Sequence, residues 1–405
     1  MRTVTDAELE ASLRSLDVEE PRVVVSGNFA TPLEAMEVLG RAVDRYRIFV
    51  LNAQRPFPLR EGVIVETPFV GPGVRERAQL RYLPARLSLV PAMFHRGCPP
   101  DVVIVHTSPP RGQRVSLGIE VNILPAAIEA TRRRGGLVVA QVNPQMPYTF
   151  GDAEIDLELI DVAIEVDSPL ASPRPVMVDD VASTIGERIA HFVEDGATLQ
   201  LGIGALPDAA LCQLHERRRL GVWSEMISDG VLELDRHGAL DRGEHVVCSF
   251  LFGSDELYRW ANLNERLELR RTEVVNDSGR IQARPAMASI NTAVQVDLFA
   301  QANASDVGGR IYSGFGGQPD FVTGALHSPG GHAIIALRSW HDGTNTSRVV
   351  ERLDAPVTSF QHSVIISEHG DAEIFGRTRG EQSRLIVEHV ADPRARDSLR
   401  AGYSS

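Results

Sequence analysis

The chain has 405 residues, 43% hydrophobic and 23% charged, with a net charge of −13. That length exceeds one ordinary core and suggests two or three domains, and the acidic balance argues against a nucleic-acid or anionic-membrane surface as the main partner. All 41 basic residues are arginine, which excludes Schiff-base lysine chemistry and a P-loop lysine.

Three cysteines (Cys98, Cys212, Cys248) are too few and too scattered for a disulfide framework or a zinc site. Cys212 and Cys248 read as small core residues and Cys98 as a loop residue. The 12 histidines show no H-E-x-x-H spacing, so no metal is expected. The amino terminus, MRTVTDAELEASL, has no signal-peptide core, and no apolar run reaches the roughly 18 residues of a membrane span, so a cytoplasmic compartment is the expectation.

In chain order, RVVV (22–25), IFVL (48–51), VIV (63–65), DVVIV (101–105) and LVVAQV (137–142) read as strands. They are nearly continuous in apolar residues, as in a parallel sheet covered on both faces. Helical stretches, PLEAMEVLGRAV (32–43) and PAAIEATRRR (125–134), lie between them; the arginines at 132–134 suit a helix carboxyl end. DSPLASPRPVMVDD (167–180) reads as an inter-domain connection. A helix is expected after it, with Asp179 and Asp180 at its start and Val181, Ile185, Ile189 and Phe192 at helical spacing. Strands return at TLQLG (198–202), GVW (221–223), VVCSFLF (246–252), AIIAL (333–337) and SVIIS (363–367), and RARDSLRAGYSS ends the chain as a fraying helix. The fold class is therefore α/β, with two open, mostly parallel domains divided at residues 1–177 and 178–405.

Within LQLGIGALPDAALCQL (199–214), a strand runs into Gly202-Ile203-Gly204, and a helix is expected to begin near Pro207. Glycines there allow close backbone approach, and free N–H groups at a helix start favour an anion or a developing oxyanion. An acid, Glu225 in GVWSEMISDG, follows about 20 residues on, as in a dinucleotide-binding layout. Glu225 is thus open to four readings: a surface residue without a role, a helix amino-terminal charge, a ribose ligand of NAD, or a nucleophile. Pro207 stands where the dinucleotide pattern wants its third glycine. SGFGGQPDFVTGA (313–325) is a second glycine-rich loop, and two such loops around one carboxylate suit acyl chemistry better than hydride transfer. No G-x-S-x-G elbow is present.

The segments FVGPGVR (69–75), DVVIVHTSPP (101–110), SLGIEV (116–121), AQVNPQMPYTFGD (140–152), LGIGALPDAAL (201–211), SEMISDG (224–230), SINTAVQVDL (289–298) and GFGGQPDF (314–321) together resemble the landmarks of the acetyl-CoA hydrolase/transferase family, which includes 4-hydroxybutyrate CoA-transferases and belongs with the class I CoA-transferases. The resemblance covers nearly the whole chain. It implies two CoA-transferase-type α/β domains with the active site between them, and Glu225 as the nucleophile that forms an acyl–glutamyl anhydride and then a glutamyl-CoA thioester. It implies that Gly202, Ile203, Gly204, Ala205 and Leu206 contact CoA, and that Gly316 and Gly317 supply a further amide. Trp223 and Met226 would keep the site partly dry.

Asn291 is read either as a site contact or as a buried asparagine satisfying loop backbone, and His332 as a partner of a CoA phosphate. The substrates implied are an acyl-CoA and a small carboxylic acid. No cofactor is implied beyond coenzyme A as co-substrate, and the assembly implied is a homodimer or larger. Departures from the family pattern fall at Thr323, at His332 and at 359–363. An acyl-CoA hydrolase on the same scaffold, an NAD-dependent dehydrogenase and a CoA-binding protein without turnover are the alternatives.

Overall fold

A computed structural model describes residues 1–174, 177–354 and 362–403. Of the departures named above, Ser359, Phe360 and Gln361 lie outside the described residues. The chain forms two compact units. One comprises Met1–Pro173, Val247–Val275 and Tyr312–Gly316, and the other Arg174–Val246, Asn276–Ile311 and Gly317–Ser405. The proline-rich stretch carries the first passage between them, but the chain then returns twice to the first unit, so the units are not two contiguous halves.

The first unit is built on an all-parallel sheet. Its strands, in spatial order, are Arg2–Thr3, Val162–Glu165, Leu137–Val142, Val102–Thr107, Arg22–Val25, Tyr46–Phe49, Val63–Thr67 and Leu80–Tyr82. The apolar runs form the centre: Val23, Val24, Ile104 and Val139 are fully buried. Helix Leu124–Arg133 packs on the two strands at 102–107 and 137–142.

In the second unit the strands lie in the order Gly370–Glu373, Val364–Ser367, His332–Ala336, Met287–Thr292, Thr198–Leu201 and Gly221–Trp223. All of these pairs are parallel except the hairpin at 364–373. Helix Asp180–Ala190 begins where expected, its Asp179 cap accepting from Ala182 N at 2.9 Å, and packs on helix Ala205–Cys212. Helix Gln318–His327 packs on strands 287–292 and 332–336. The carboxyl-terminal helix Arg396–Tyr403 is held by Leu399, buried in an apolar cluster with Ile386 and Val390.

The strand Met287–Thr292 is central yet absent from the sequence reading, because Ser289 and Asn291 interrupt its apolar run. Both are buried and satisfy one another and a neighbour: Ser289 Oγ donates to Gln200 Oε1 (2.7 Å), and Asn291 Nδ2 donates to Gln200 Oε1 (3.1 Å) and Ser289 Oγ (2.9 Å). Paired polar groups can occupy a core position that an apolar pattern would not reveal. Cys248 is buried, but Cys212 is exposed on the last turn of its helix, against expectation.

Ile290, fully buried on this strand, faces away from the polar trio. Truncation to Ala should leave a cavity and lower the unfolding free energy by about 2–5 kcal/mol, measured by denaturant titration. A change under about 1 kcal/mol would mean the strand is not central to the second unit's core.

Candidate active site

The second unit's parallel strands end, at their carboxyl edge, in the residues singled out above. Strand Thr198–Leu201 gives way to Gly202 and Ile203, and the helix starts at Ala205, two residues before the expected Pro207. Proline is still tolerated, because the first-turn N–H groups have no helical partner. Gly204 sits before the helix at φ +118°, ψ −179°, a conformation L-residues avoid. No side chain caps this helix, Ile203 is exposed, and Leu206 is buried. Uncapped amides behind an exposed turn are what an incoming oxyanion or phosphate needs.

Glu225 follows the neighbouring strand, Gly221–Trp223, and two serines tie it to the glycine turn. Ser224 Oγ accepts from Leu201 N at 3.1 Å and lies 3.4 Å from Leu201 O, continuing the ladder where the strand has ended. Ser228 Oγ donates to Asp208 Oδ1 at 3.2 Å, on the first turn of helix 205–212. The carboxylate is therefore fixed in register with the turn from both sides. Trp223 and Met226 are buried, and Arg284 stacks on Trp223 with its guanidinium carbon 4.3 Å from the ring centre.

The carboxylate itself touches residues far away in sequence. Asn276 Nδ2 donates to Glu225 Oε2 at 3.2 Å, and the Gly317 amide faces the same side chain. A Cβ built on Gly317 would overlap both Glu225 Oε2 and Asn276 Nδ2, so only glycine fits. Gly317 lies immediately before helix Gln318–His327, which places another set of free amides by the carboxylate. Glu225 has no ion-pair partner among the described residues. Burial pushes its carboxyl up to about 7; the Asn276 hydrogen bond opposes this, the Asp320 carboxylate adds to it, and Gly317 opposes it. Glu225 as a whole is nevertheless partly exposed.

Other expected residues fall at graded distances from this centre. Asn291 is on the strand beside the glycine turn, with its amide committed to Gln200 and Ser289. Gly316, at φ +57°, precedes Gly317 directly. His332 is elsewhere. It pairs with Ala288 at the amino end of its strand, stacks edge-on against Phe192 at 5.4 Å, and is two strand spacings, roughly 10 Å, sideways from the glycine strand. The fold does not bring it to the carboxylate. Thr323 Oγ1 bonds back to Pro319 O at 2.8 Å on its own helix. Asn276 and Ser224 were missed. A lone asparagine in VVND carries no motif, and only the fold brings it to Glu225.

One group among the described residues, Glu368, His369 and Asp392, brings three metal-type ligand atoms within 4.8 Å of one another. Arg394 already pairs with Asp392 there at 2.8 Å, so an arginine supplies the positive charge. No helix among the described residues is long and apolar enough to cross a membrane.

The displaced acidity of Glu225 has a consequence for stability. Its folded carboxyl titrates at about 7 against 4.5 for an ordinary glutamate. The stability it contributes is fully present below the lower value and lost as pH rises through the upper one. Glu225→Gln cannot ionise and should lack that loss, gaining stability relative to the wild type between pH 5 and pH 8 in denaturant titrations. Parallel pH slopes in the two proteins would contradict the burial of an unpaired carboxylate.

The acetyl-CoA hydrolase/transferase C-terminal domain profile matches residues 253–403. The chain is 38% identical to the 4-hydroxybutyrate coenzyme A transferase of Clostridium kluyveri, over 78% of this chain and 76% of that protein. It is 33% identical to the succinyl-CoA:acetate/propanoyl-CoA:succinate CoA transferase of Fasciola hepatica, over 93% and 83%. Acetyl-CoA hydrolases match more distantly, that of Kluyveromyces lactis at 27% identity over 68% and 57%. Among solved structures, RipA from Yersinia pestis superposes with a TM-score of 0.92 at 26% identity, covering 100% and 97% of the two chains. The 4-hydroxybutyrate CoA-transferase of Porphyromonas gingivalis superposes at 0.81 with 28% identity, covering 99% and 96%. The chain belongs to the acetyl-CoA hydrolase/transferase family and is an enzyme of its CoA-transferase and acyl-CoA hydrolase type.

Proposed function

We propose that this enzyme moves CoA between an acyl-CoA and a small carboxylic acid, with Glu225 as the covalent nucleophile. The observation that carries the reading is the state of that carboxylate: unpaired, desolvated and fixed beside two glycine turns. A carboxylate paired with arginine or fully hydrated would be a poorer nucleophile.

In the first step Glu225 attacks the thioester carbonyl, the carbon–sulfur bond breaks, and CoA leaves as the thiolate. The product is a mixed anhydride between the acyl group and Glu225. The thiolate then attacks the glutamyl carbon, releasing the first acid and leaving a glutamyl-CoA thioester. A second carboxylic acid reverses the two steps and departs as its CoA ester. No step needs a net proton transfer, so the site needs no histidine base. Residues 202–206 serve CoA and the acyl oxyanion through backbone amides, Gly316–Gly317 supply a further amide, and Asn291 stiffens the glycine turn from the adjacent strand. A homodimer, as the family resemblance implies, is part of the same proposal.

The hydrolase reading uses the same glutamate with water as the final acceptor, and the acetyl-CoA hydrolases among the relatives favour keeping it as second. The nicotinamide reading fits less well. A ribose-binding acid should be ionised with free oxygens, whereas Glu225 Oε2 is engaged by Asn276 and the group titrates at about 7.

Glu225→Gln should abolish CoA transfer while the circular dichroism spectrum is unchanged. Glu225→Asp should lose roughly 100-fold in kcat, because shortening by one methylene displaces the attacking oxygen by about 1 Å. Near-normal transfer by either variant, assayed with short acyl-CoAs and acetate, would remove Glu225 from the nucleophile's role.

A further inference from the structure

Strand His332–Ala336 has His332 at its amino end and two arginines gathered beyond its carboxyl end. Arg338 follows the strand directly after Leu337. The chain then turns through the hairpin of Trp340–His341 and Thr346–Ser347, which brings Arg348 back beside Ser339. The backbone pins Arg348 there from both sides. Its N–H donates to Ser339 O at 2.8 Å, and its carbonyl accepts from Val296 N at 3.0 Å.

The side chain it presents has nothing to hold. Arg348 is half-buried and its Nε is sealed from solvent, yet its guanidinium makes no hydrogen bond or ion pair among the described residues. Burial, and then the neighbouring Arg338 cation, pull it below the usual arginine range, while Glu368 and Asp342 act in the opposite direction. Three of the surrounding carboxylates are committed elsewhere. Glu368 accepts from the Ser339 amide and hydroxyl, Asp179 pairs with Arg338 at 2.8 Å, and Asp392 pairs with Arg394 at 2.8 Å. The fourth, Asp342, is exposed. A desolvated charged donor left unmet is costly, and a guanidinium is shaped to take a phosphate or carboxylate through two parallel bonds.

The place of Arg348 along the sheet decides between those two anions. Strands 221–223, 198–201, 287–292 and 332–336 are successive neighbours, so Arg338 and Arg348 lie three spacings, roughly 14 Å, sideways from the strand that carries Glu225. Both sites are at the carboxyl edge, where parallel α/β sheets bind their ligands. The glycine turn at 202–204 lies between them. In an acyl-CoA, about thirteen bonds separate the sulfur from the first phosphate, which is roughly 15 Å at the rise of an extended chain. A second carboxylate on a short acyl chain would stop far short of that distance.

We propose that Arg348, with Arg338 beside it, binds the phosphate end of coenzyme A, its guanidinium taking the pyrophosphate group. This rests on the acyl-CoA chemistry proposed above for Glu225. It places the phosphate contact on the same strand as His332 but at the opposite end.

The test is calorimetric binding of CoA, and of pantetheine, which lacks the phosphates, to the intact enzyme. The wild type should bind CoA the more tightly, and inorganic pyrophosphate should compete with it. Arg348→Met, apolar and of similar length, should weaken CoA binding by about 10- to 100-fold while pantetheine changes by less than about threefold. Arg348→Lys keeps the charge without the planar fork and should fall between. Retained pantetheine binding reports that each variant is folded. Wild-type CoA affinity in Arg348→Met would overturn the inference. Equal weakening of CoA and pantetheine in both variants would also overturn it, because that marks a structural residue, and so would a wild type that binds the two alike. The readout does not depend on turnover. CoA that is bound through Arg348 but never transferred would count against the nucleophile reading alone, and CoA that is transferred while Arg348→Met binds it normally would count against this inference alone.

Discussion

A carboxylate placed in a protein interior without a cation is under strain of a useful kind. Burial strips away much of the water that would stabilise its charge, and no arginine among the described residues takes water's place, although arginine makes up every one of this chain's 41 basic residues. What remains is one side-chain amide, one backbone amide and a nearby acid, and burial outweighs the two amides, holding the carboxyl well above the usual carboxylate range. Folding free energy is given up at this point for reactivity, as happens where titratable groups are displaced at functional sites. The rest of the second unit is arranged to keep that carboxylate in place.

The arrangement is built from ordinary parts. Parallel strands put the ends of 198–201 and 221–223 side by side, so a turn and a carboxylate that are distant along the chain meet at one edge. Ser224 and Ser228 then fix the carboxylate's register with backbone and side-chain bonds that each contribute about 1 kcal/mol. Two helices, 278–282 and 318–327, bring an amide each from the other side. Glycine at 317 is a matter of space, since any side chain would displace the nucleophile. The glycine at 204 is a matter of backbone conformation. The two glycine-rich loops, alike in composition, thus use glycine for different physical reasons.

Much of this was legible beforehand, because apolar runs and turn residues act locally. Five of the first sheet's eight strands, mostly runs of valine and isoleucine, were read with boundaries good to a residue or two, whereas Arg2–Thr3, Leu80–Tyr82 and Val162–Glu165, too short or too mixed to stand out, were not. Glu225 and both glycine loops came from motif and resemblance together. The strand 287–292 was hidden by Ser289 and Asn291, whose burial makes sense only with Gln200 beside them, and that neighbour is set by sheet order. Asn276 was hidden for the same reason: 51 residues separate it from the carboxylate it contacts. His332, read as a partner of a CoA phosphate, stands at the amino end of its strand, so pairing register rather than its nearness to a glycine pair decides how far it lies from the carboxylate. The exposure of Cys212 likewise depends on which helix face meets helix 180–190. Local chemistry identifies what a residue can do; pairing register and helix packing decide what it meets.

The central claim is that CoA becomes covalently attached to Glu225. The most direct measurement is the intact mass of the protein after brief incubation with short acyl-CoAs, followed by peptide mapping. A mass increase equal to CoA less one water, confined to the peptide containing Glu225 and reversed by added carboxylic acid, is the predicted result. Sustained turnover with no CoA attached at any time, or attachment on a different residue, would contradict it.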